Sequence, residues 1–217
     1  MTTFDVTAAV PWPQARRSLI AILRGIQPDE VEAIGEALIE SGFEMIEVPL
    51  NSPQPFVSIE RLVRRFGAEC LIGAGTVVTV DQCKELADIG GRLMVSPNVN
   101  ADVLAAAHAR GLVTMPGVFT ATEAYSALGC GASALKFFPA SVLGASGVNA
   151  LRTILPPDTV VGVVGGVSDK DFGAYTAAGI RTFGLGSSLY RPGMSAQEVG
   201  ETASAAIHAY DRGTQTN

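Results

Sequence analysis

Lys136 is the side chain in this sequence best placed for covalent chemistry. The chain holds three lysines, and Lys84 and Lys170 lie among polar neighbours in helix-patterned segments. Lys136 instead sits inside Ala134-Leu135-Lys136-Phe137-Phe138, an apolar run with the marks of a buried strand. Successive strand residues face opposite sides, so Leu135 and Phe137 share one face and Lys136 and Phe138 the other. A lysine in an apolar cavity loses solvation of its charge, which lowers its pKa and yields a neutral, nucleophilic amine able to condense with a ketone. The competing reading is a lysine paired with a carboxylate as part of the interior filling. Glu47 repeats the pattern in Met45-Ile46-Glu47-Val48-Pro49-Leu50. A carboxylate held in a low-dielectric site has its pKa raised and can move protons near neutrality. Glu47 could equally be the ion partner of Lys136 or Arg24, and the two roles are compatible.

Two glycine-bearing segments could hold an anion: Val164-Gly165-Gly166-Val167-Ser168-Asp169 and Leu185-Gly186-Ser187-Ser188. Glycine lets the backbone approach an anion closely, and helix N-termini point N–H donors at it. A tight turn also needs glycine, so the position of these segments in the fold has to carry the argument. Asp169 and Asp171 would complement the dipole of the following helix without helping an anion. His108 and His208 lie in Ala-rich helical segments with no ligand spacing, and no HxH, HExxH or acidic cluster occurs, so no metal site is expected. Arg61, Arg64 and Arg65 read as a solvated helix face. The serines and cysteines have no histidine near enough in sequence to suggest a triad.

The elements that must position these groups alternate regularly. Apolar runs at Leu19–Leu23, Met45–Leu50, Cys70–Ala74, Leu93–Val95, Leu112–Met115, Ala134–Phe138, Val160–Val164 and Thr182–Leu185 read as strands. Helix-patterned segments lie between and after them, at roughly 28–41, 53–66, 80–90, 100–109, 121–130, 146–154, 169–178 and 196–210. Pro28 and Pro53 suit first helical positions. Thr79 with Gln82, Thr120 with Glu123, and Ser195 with Glu198 read as capping boxes. Gly42, Gly67, Gly90-Gly91, Gly111, Gly131 and Gly179 fall where a left-handed helix cap wants glycine. Eight βα units imply a compact single-domain (β/α)8 barrel over residues 1–217, with 1–17 as an N-terminal extension. A doubly wound open sheet is the alternative, but Arg24-Gly25-Ile26-Gln27 after the first strand supplies one glycine where a dinucleotide turn needs three. In a barrel the C-terminal strand ends share one mouth. That gathers Arg24, Glu47, Thr76, Pro97, Pro116, Lys136 with Phe138, Gly165-Gly166 and Gly186-Ser187 in one place.

Composition sets the outer bounds. Hydrophobic residues are 47% of the 217 and charged residues 17%, ample for a core and far from a disordered composition. The apolar runs are too short to span a bilayer, and the N-terminus lacks a signal-peptide pattern. A net charge of −6 argues against nucleic-acid or anionic-membrane partners. Cys70, Cys83 and Cys130 form no CxxC pair and read as reduced thiols of a cytoplasmic protein.

With these residues in place, the chain resembles the 2-keto-3-deoxy-6-phospho sugar-acid aldolases from about Leu19 to Tyr210. The likeness is carried by Gly73-Ala74-Gly75-Thr76, Ser96-Pro97-Asn98, Lys136-Phe137-Phe138-Pro139 and Gly165-Gly166-Val167-Ser168. The resemblance implies a metal-independent class I aldolase without a cofactor, usually trimeric, acting on a phosphorylated keto sugar acid. It makes Lys136 the Schiff-base residue and Glu47 the acid/base carboxylate. Arg24 and Thr76 then contact the pyruvyl end of the substrate, and Gly165, Gly166, Gly186 and Ser187 hold its phosphate. Asn51 stands where the gluconate branch carries an arginine, and Val164 where that branch carries a threonine. Both departures resemble the galactonate branch. The other readings are a gluconate-type or dual-epimer aldolase and, further off, a sugar-phosphate isomerase or a phosphate-binding barrel without imine chemistry.

Overall fold

A computed structural model describes residues 10–214. Its strands are β1 (Leu19–Ile22), β2 (Met45–Pro49), β3 (Leu71–Gly75), β4 (Leu93–Val95), β5 (Val113–Met115), β6 (Gly117–Val118), β7 (Leu135–Phe137), β8 (Val161–Val164) and β9 (Thr182–Leu185). The helices are α1 (Val31–Glu40), α2 (Pro55–Phe66), α3 (Val80–Asp88), α4 (Ala101–Ala109), α5 (Ala121–Gly129), α6 (Ala140–Arg152), α7 (Phe172–Ala177) and α8 (Ala196–Thr214). Every strand pairing is parallel, in the order β5-β4-β3-β2-β1-β9-β8-β7-β6.

The two ends of that order are one stretch of chain. Pro116 separates β5 from β6, and it has no N–H to give to a ladder. Its carbonyl still accepts from the Lys136 N–H at 3.0 Å, while the Met115 carbonyl accepts from the Ser96 N–H at 3.4 Å. Counted as one strand bent at Pro116, the pair closes the sheet into the expected (β/α)8 barrel.

Strand alternation builds two cores. Leu135, Phe137, Val163, Phe183 and Leu185 face outward and pack beneath the helices. Ile20, Met45, Leu93, Val95, Val113, Met115 and Ala134 fill the barrel, with Val10, Trp12 and Ala15 packed against them. Residues 10–17 therefore plug the N-terminal end of the barrel. Trp12 donates from Nε1 to Ser18 Oγ at 3.2 Å, and Arg17 makes a two-point ion pair with Asp211 at 2.7 Å for each bond. This end lies opposite the mouth, so Trp12→Ala should lower unfolding free energy by about 2 kcal/mol. A urea titration checks this; an unchanged midpoint would mean that the plug adds nothing to stability.

Several boundaries differ from the sequence reading. Pro28 lies in a turn ahead of α1 and Pro53 in the bend ahead of α2, where Pro55 takes the first helical position. Gly67 closes α2 in a right-handed conformation (φ −64°), so no left-handed cap operates there. The sixth helix begins at Ala140 rather than 146 and breaks at Gly144, whose φ of 64° interrupts the helical backbone. The segment after β8 opens with a 3-10 turn, Asp169–Asp171, closed by a Ser168–Asp171 capping box, before α7. The boxes at Thr79/Gln82, Thr120/Glu123 and Ser195/Glu198 all form. No described helix is long and apolar enough to cross a membrane.

Candidate active site

Lys136 and Glu47 project into the barrel, as strand alternation requires, and are 7% and 3% exposed. Their surroundings explain how two ionisable groups fit there. The barrel lining carries glycine at 73, 75, 162 and 184, and a Cβ at Gly75 would overlap the Glu47 carboxylate. The absent side chain is the space the carboxylate occupies. Glu47 Oε2 has no hydrogen-bond partner. Burial lifts the Glu47 pKa from 4.5 to about 7, against the opposing pull of Lys136, Arg24 and the Gly75 N–H. Burial likewise lowers Lys136 from 10.5 to about 8, although the Glu47 charge raises it. The Lys136 ammonium lies 4.7 Å from the centre of the Phe138 ring, within cation–π range. No ion pair within 4 Å joins it to Glu47 among the described residues, so the reading of Lys136 as a tightly paired filler lacks its contact.

A cavity of about 520 Å³ opens next to Lys136: the Phe138 ring in its lining lies 4.7 Å from the Lys136 nitrogen, although neither Lys136 nor Glu47 is itself part of the lining. Its lining includes the predicted Arg24, Phe138, Val164, Gly165, Gly166, Gly186 and Ser187. Gly165 and Gly166 have φ of 91° and 74°, a backbone path that L side chains resist, and a Cβ on Gly165 would meet the Phe138 ring at 2.9 Å. Ser188 Oγ donates to the Val167 carbonyl at 2.9 Å and so ties the two glycine loops together. Thr76 follows β3 with φ 59°, a strained conformation for a β-branched residue, and is half-buried. Pro97 is exposed beyond β4, its carbonyl set against Gly117. Neither Thr76 nor Pro97 lines the cavity.

Contacts across the mouth hold the rim. Arg24 donates from Nη1 to Asn51 Oδ1 at 2.8 Å, so the asparagine that stands where a family branch has arginine orients the arginine just after β1. The Gly25 N–H donates to Ser52 Oγ at 2.9 Å. Buried Tyr190 lines the cavity and donates its hydroxyl to Glu30 at 2.9 Å, joining the loop after β9 to the loop after β1. Sequence reasoning did not find Ile22, Val167, Gly184, Tyr190, Arg191 or Pro192 as cavity residues. Only the regular placement of 186–192 after the last strand could have flagged the last three. A larger depression, about 910 Å³ between α1 and α8, lies outside the barrel and is lined by Glu36, Ala37, Ser41, Gly200 and His208 among others. It has no contact with Lys136 or Glu47 in its lining, whereas the smaller cavity adjoins Lys136 through the Phe138 ring. Among the described residues, no three of His, Cys, Asp and Glu come together as metal ligands.

The arrangement can form an imine: a buried amine and a buried proton acceptor lie inside the barrel, next to a cavity rimmed by two glycine-bearing loops. Comparison with known proteins agrees with that chemistry. A family model described as KDPG and KHG aldolase matches residues 14–206. The chain is 60% identical over 202 residues to a probable 2-dehydro-3-deoxy-6-phosphogalactonate aldolase of Rhizobium meliloti (strain 1021), covering 93% of this chain and 95% of that one. It is 45% identical over 202 residues to the 2-dehydro-3-deoxy-6-phosphogalactonate aldolase of Escherichia coli (strain K12), covering 93% and 98%. A solved structure described as native KDPGal superposes with a TM-score of 0.92 at 44% identity, over 94% of this chain and 99% of that one. A match over most of the chain, joined to a lysine and a carboxylate buried in the barrel, settles the assignment: the chain belongs to the KDPG and KHG aldolase family and is an aldolase.

Proposed function

We propose that this aldolase cleaves 2-dehydro-3-deoxy-6-phosphogalactonate to pyruvate and D-glyceraldehyde 3-phosphate through a Schiff base on Lys136. The observation that carries the reading is Lys136 itself, buried in the barrel against the Phe138 ring that lines the cavity, with its pKa drawn down to about 8. Its neutral amine attacks the C2 ketone, and loss of water leaves a protonated imine. When the C3–C4 bond breaks, its electron pair moves into that imine and forms an enamine. Glu47, directly or through one water, takes the proton from the C4 hydroxyl as the aldehyde leaves, then returns a proton to the enamine carbon. Addition of water to the imine releases pyruvate and restores the amine.

The substrate end groups match the cavity. Arg24, oriented by Asn51, supplies a cation for the carboxylate at the pyruvyl end, with Thr76 beside it in our assignment. Gly165, Gly166, Gly186 and Ser187 offer backbone and hydroxyl donors to the phosphate. Pro97 and Phe138 complete the assigned set, Phe138 as the ring beneath which the lysine sits. Val164 is 6% exposed and presents an apolar surface to the cavity. A hydroxyl donor there would favour one orientation of the C4 hydroxyl, so an apolar side chain alters which epimer is held. The names of the two curated relatives support the galactonate reading over the gluconate one. Our reading includes a homotrimer in the cytoplasm, and light scattering should return three times the 22.5 kDa chain mass.

Turnover of the two C4 epimers tests the assignment. We expect a higher kcat/KM on the galacto epimer, and Val164→Thr should narrow the gap by about tenfold. A wild-type preference for the gluco epimer would reject the substrate assignment while leaving the imine chemistry standing.

A further inference from the structure

One cation at the cavity rim has no role in the account above. Arg191 lines the cavity, and with Arg24 it makes up the positive charge of the lining. Local sequence pins its backbone. Arg191-Pro192-Gly193-Met194 has the form of a type II turn, with proline second, glycine third at φ 88°, and the Met194 N–H bonded to the Arg191 carbonyl at 3.1 Å. The Arg191 N–H also meets Met194 Sδ at 3.3 Å. The turn docks on the segment that carries Arg24, since a Cβ on Gly25 would come within 2.8 Å of Pro192 Cγ. The adjoining Tyr190–Glu30 bond holds the same two loops together.

The charge of Arg191 is uncommitted. Arg24, positioned by the neutral Asn51 amide, is assigned above to the substrate carboxylate, whereas the Arg191 guanidinium makes no hydrogen bond or ion pair within 4 Å among the described residues. Glu198 feels its charge, but that carboxylate already accepts from the Ser195 N–H and hydroxyl at 2.8 and 2.7 Å. The chain as a whole carries −6, and Asp169 and Asp171 lie just beyond the first glycine loop. Backbone N–H groups supply dipoles, yet a doubly charged phosphate entering a negative field needs a full positive charge close by. A guanidinium meets phosphate with two parallel bonds.

We propose that Arg191 binds the phosphate monoester at the far end of the keto acid, beside Gly186 and Ser187, and thereby sets the preference for phosphorylated over unphosphorylated acids. This rests on the site as read under Proposed function. The test is steady-state cleavage of the phosphorylated acid and of the same acid without its phosphate, by wild type, Arg191→Gln and Arg191→Lys. In Arg191→Gln the ratio of kcat/KM values, phosphorylated over unphosphorylated, should fall about 10- to 100-fold, carried by KM rather than kcat. Arg191→Lys should recover part of the loss, because a point charge replaces the fork. A general structural defect would lower both substrates together and leave the ratio unmoved. An unmoved ratio in a wild type that prefers the phosphorylated acid overturns the role of Arg191 alone. A wild type with no such preference overturns the reading of the site as well.

Discussion

Borohydride reduction in the presence of pyruvate will fix a pyruvyl group on Lys136, and peptide mapping will find none on Lys84 or Lys170. The difference is environmental. Lys84 is exposed and pairs weakly with Asp81, and Lys170 is exposed in the loop ahead of α7. With its pKa near 8, Lys136 is roughly one quarter free amine at pH 7.5, against about one part in a thousand for an ordinary lysine. That gain of about two orders of magnitude in nucleophile concentration comes from burial. Lys136→Met keeps the volume and removes the nitrogen, so cleavage should fall by about four orders of magnitude or more and the adduct should vanish. Below pH 7, trapping should slow by about tenfold per pH unit as the amine is protonated. A retained adduct in Lys136→Met, or one mapped to another lysine, would remove Lys136 from the mechanism.

The second large effect concerns Glu47. Glu47→Gln keeps the shape fitted against Gly75 but cannot accept the C4 proton, so turnover should fall by about two to four orders of magnitude while imine trapping persists. The Glu47 charge holds the Lys136 pKa up. Its loss should therefore lower that pKa further and extend borohydride trapping to lower pH. Stability should move in the opposite sense to activity. The folded-state pKa of Glu47, about 7, lies above the ordinary 4.5, so the folded protein keeps a proton that the unfolded chain gives up. Ionising the buried carboxylate then costs stability as pH rises from about 4.5 to about 7, and Glu47→Gln escapes that cost. Its urea midpoint at pH 8 should exceed that of wild type. Full cleavage activity in Glu47→Gln would sink the assignment.

Both variants touch groups whose inward direction could be read directly from the chain. Strand alternation has a period of two, so Lys136 and Glu47 must face opposite to Leu135, Phe137, Ile46 and Val48 wherever the strands end up. The eight βα units and three capping boxes were legible for the same reason: each depends on neighbours a few residues apart. The boundaries that escaped were also local, but undecided by composition. Ahead of α2, Pro53 and Pro55 are both chemically suited to a helix start, and the left-handed backbone at Gln54 (φ 40°) selects the second.

The rim of the cavity was hidden for a different reason. Asn51 meets Arg24 across 27 residues, and Tyr190 meets Glu30 across 160. Such pairs have no periodicity or motif to announce them, because their geometry exists only once the barrel has closed and brought the loops after β1, β2 and β9 to one end. Closure likewise turned residues 10–17 from an irregular leader into a plug, by giving Trp12 an open barrel end to cover. Local chemistry along the chain thus decided which side chains point inward and what reaction they can perform. Packing between distant segments decided which loops meet at the mouth of the barrel, since contacts such as Asn51 to Arg24 and Tyr190 to Glu30 join stretches that lie far apart in the unfolded chain.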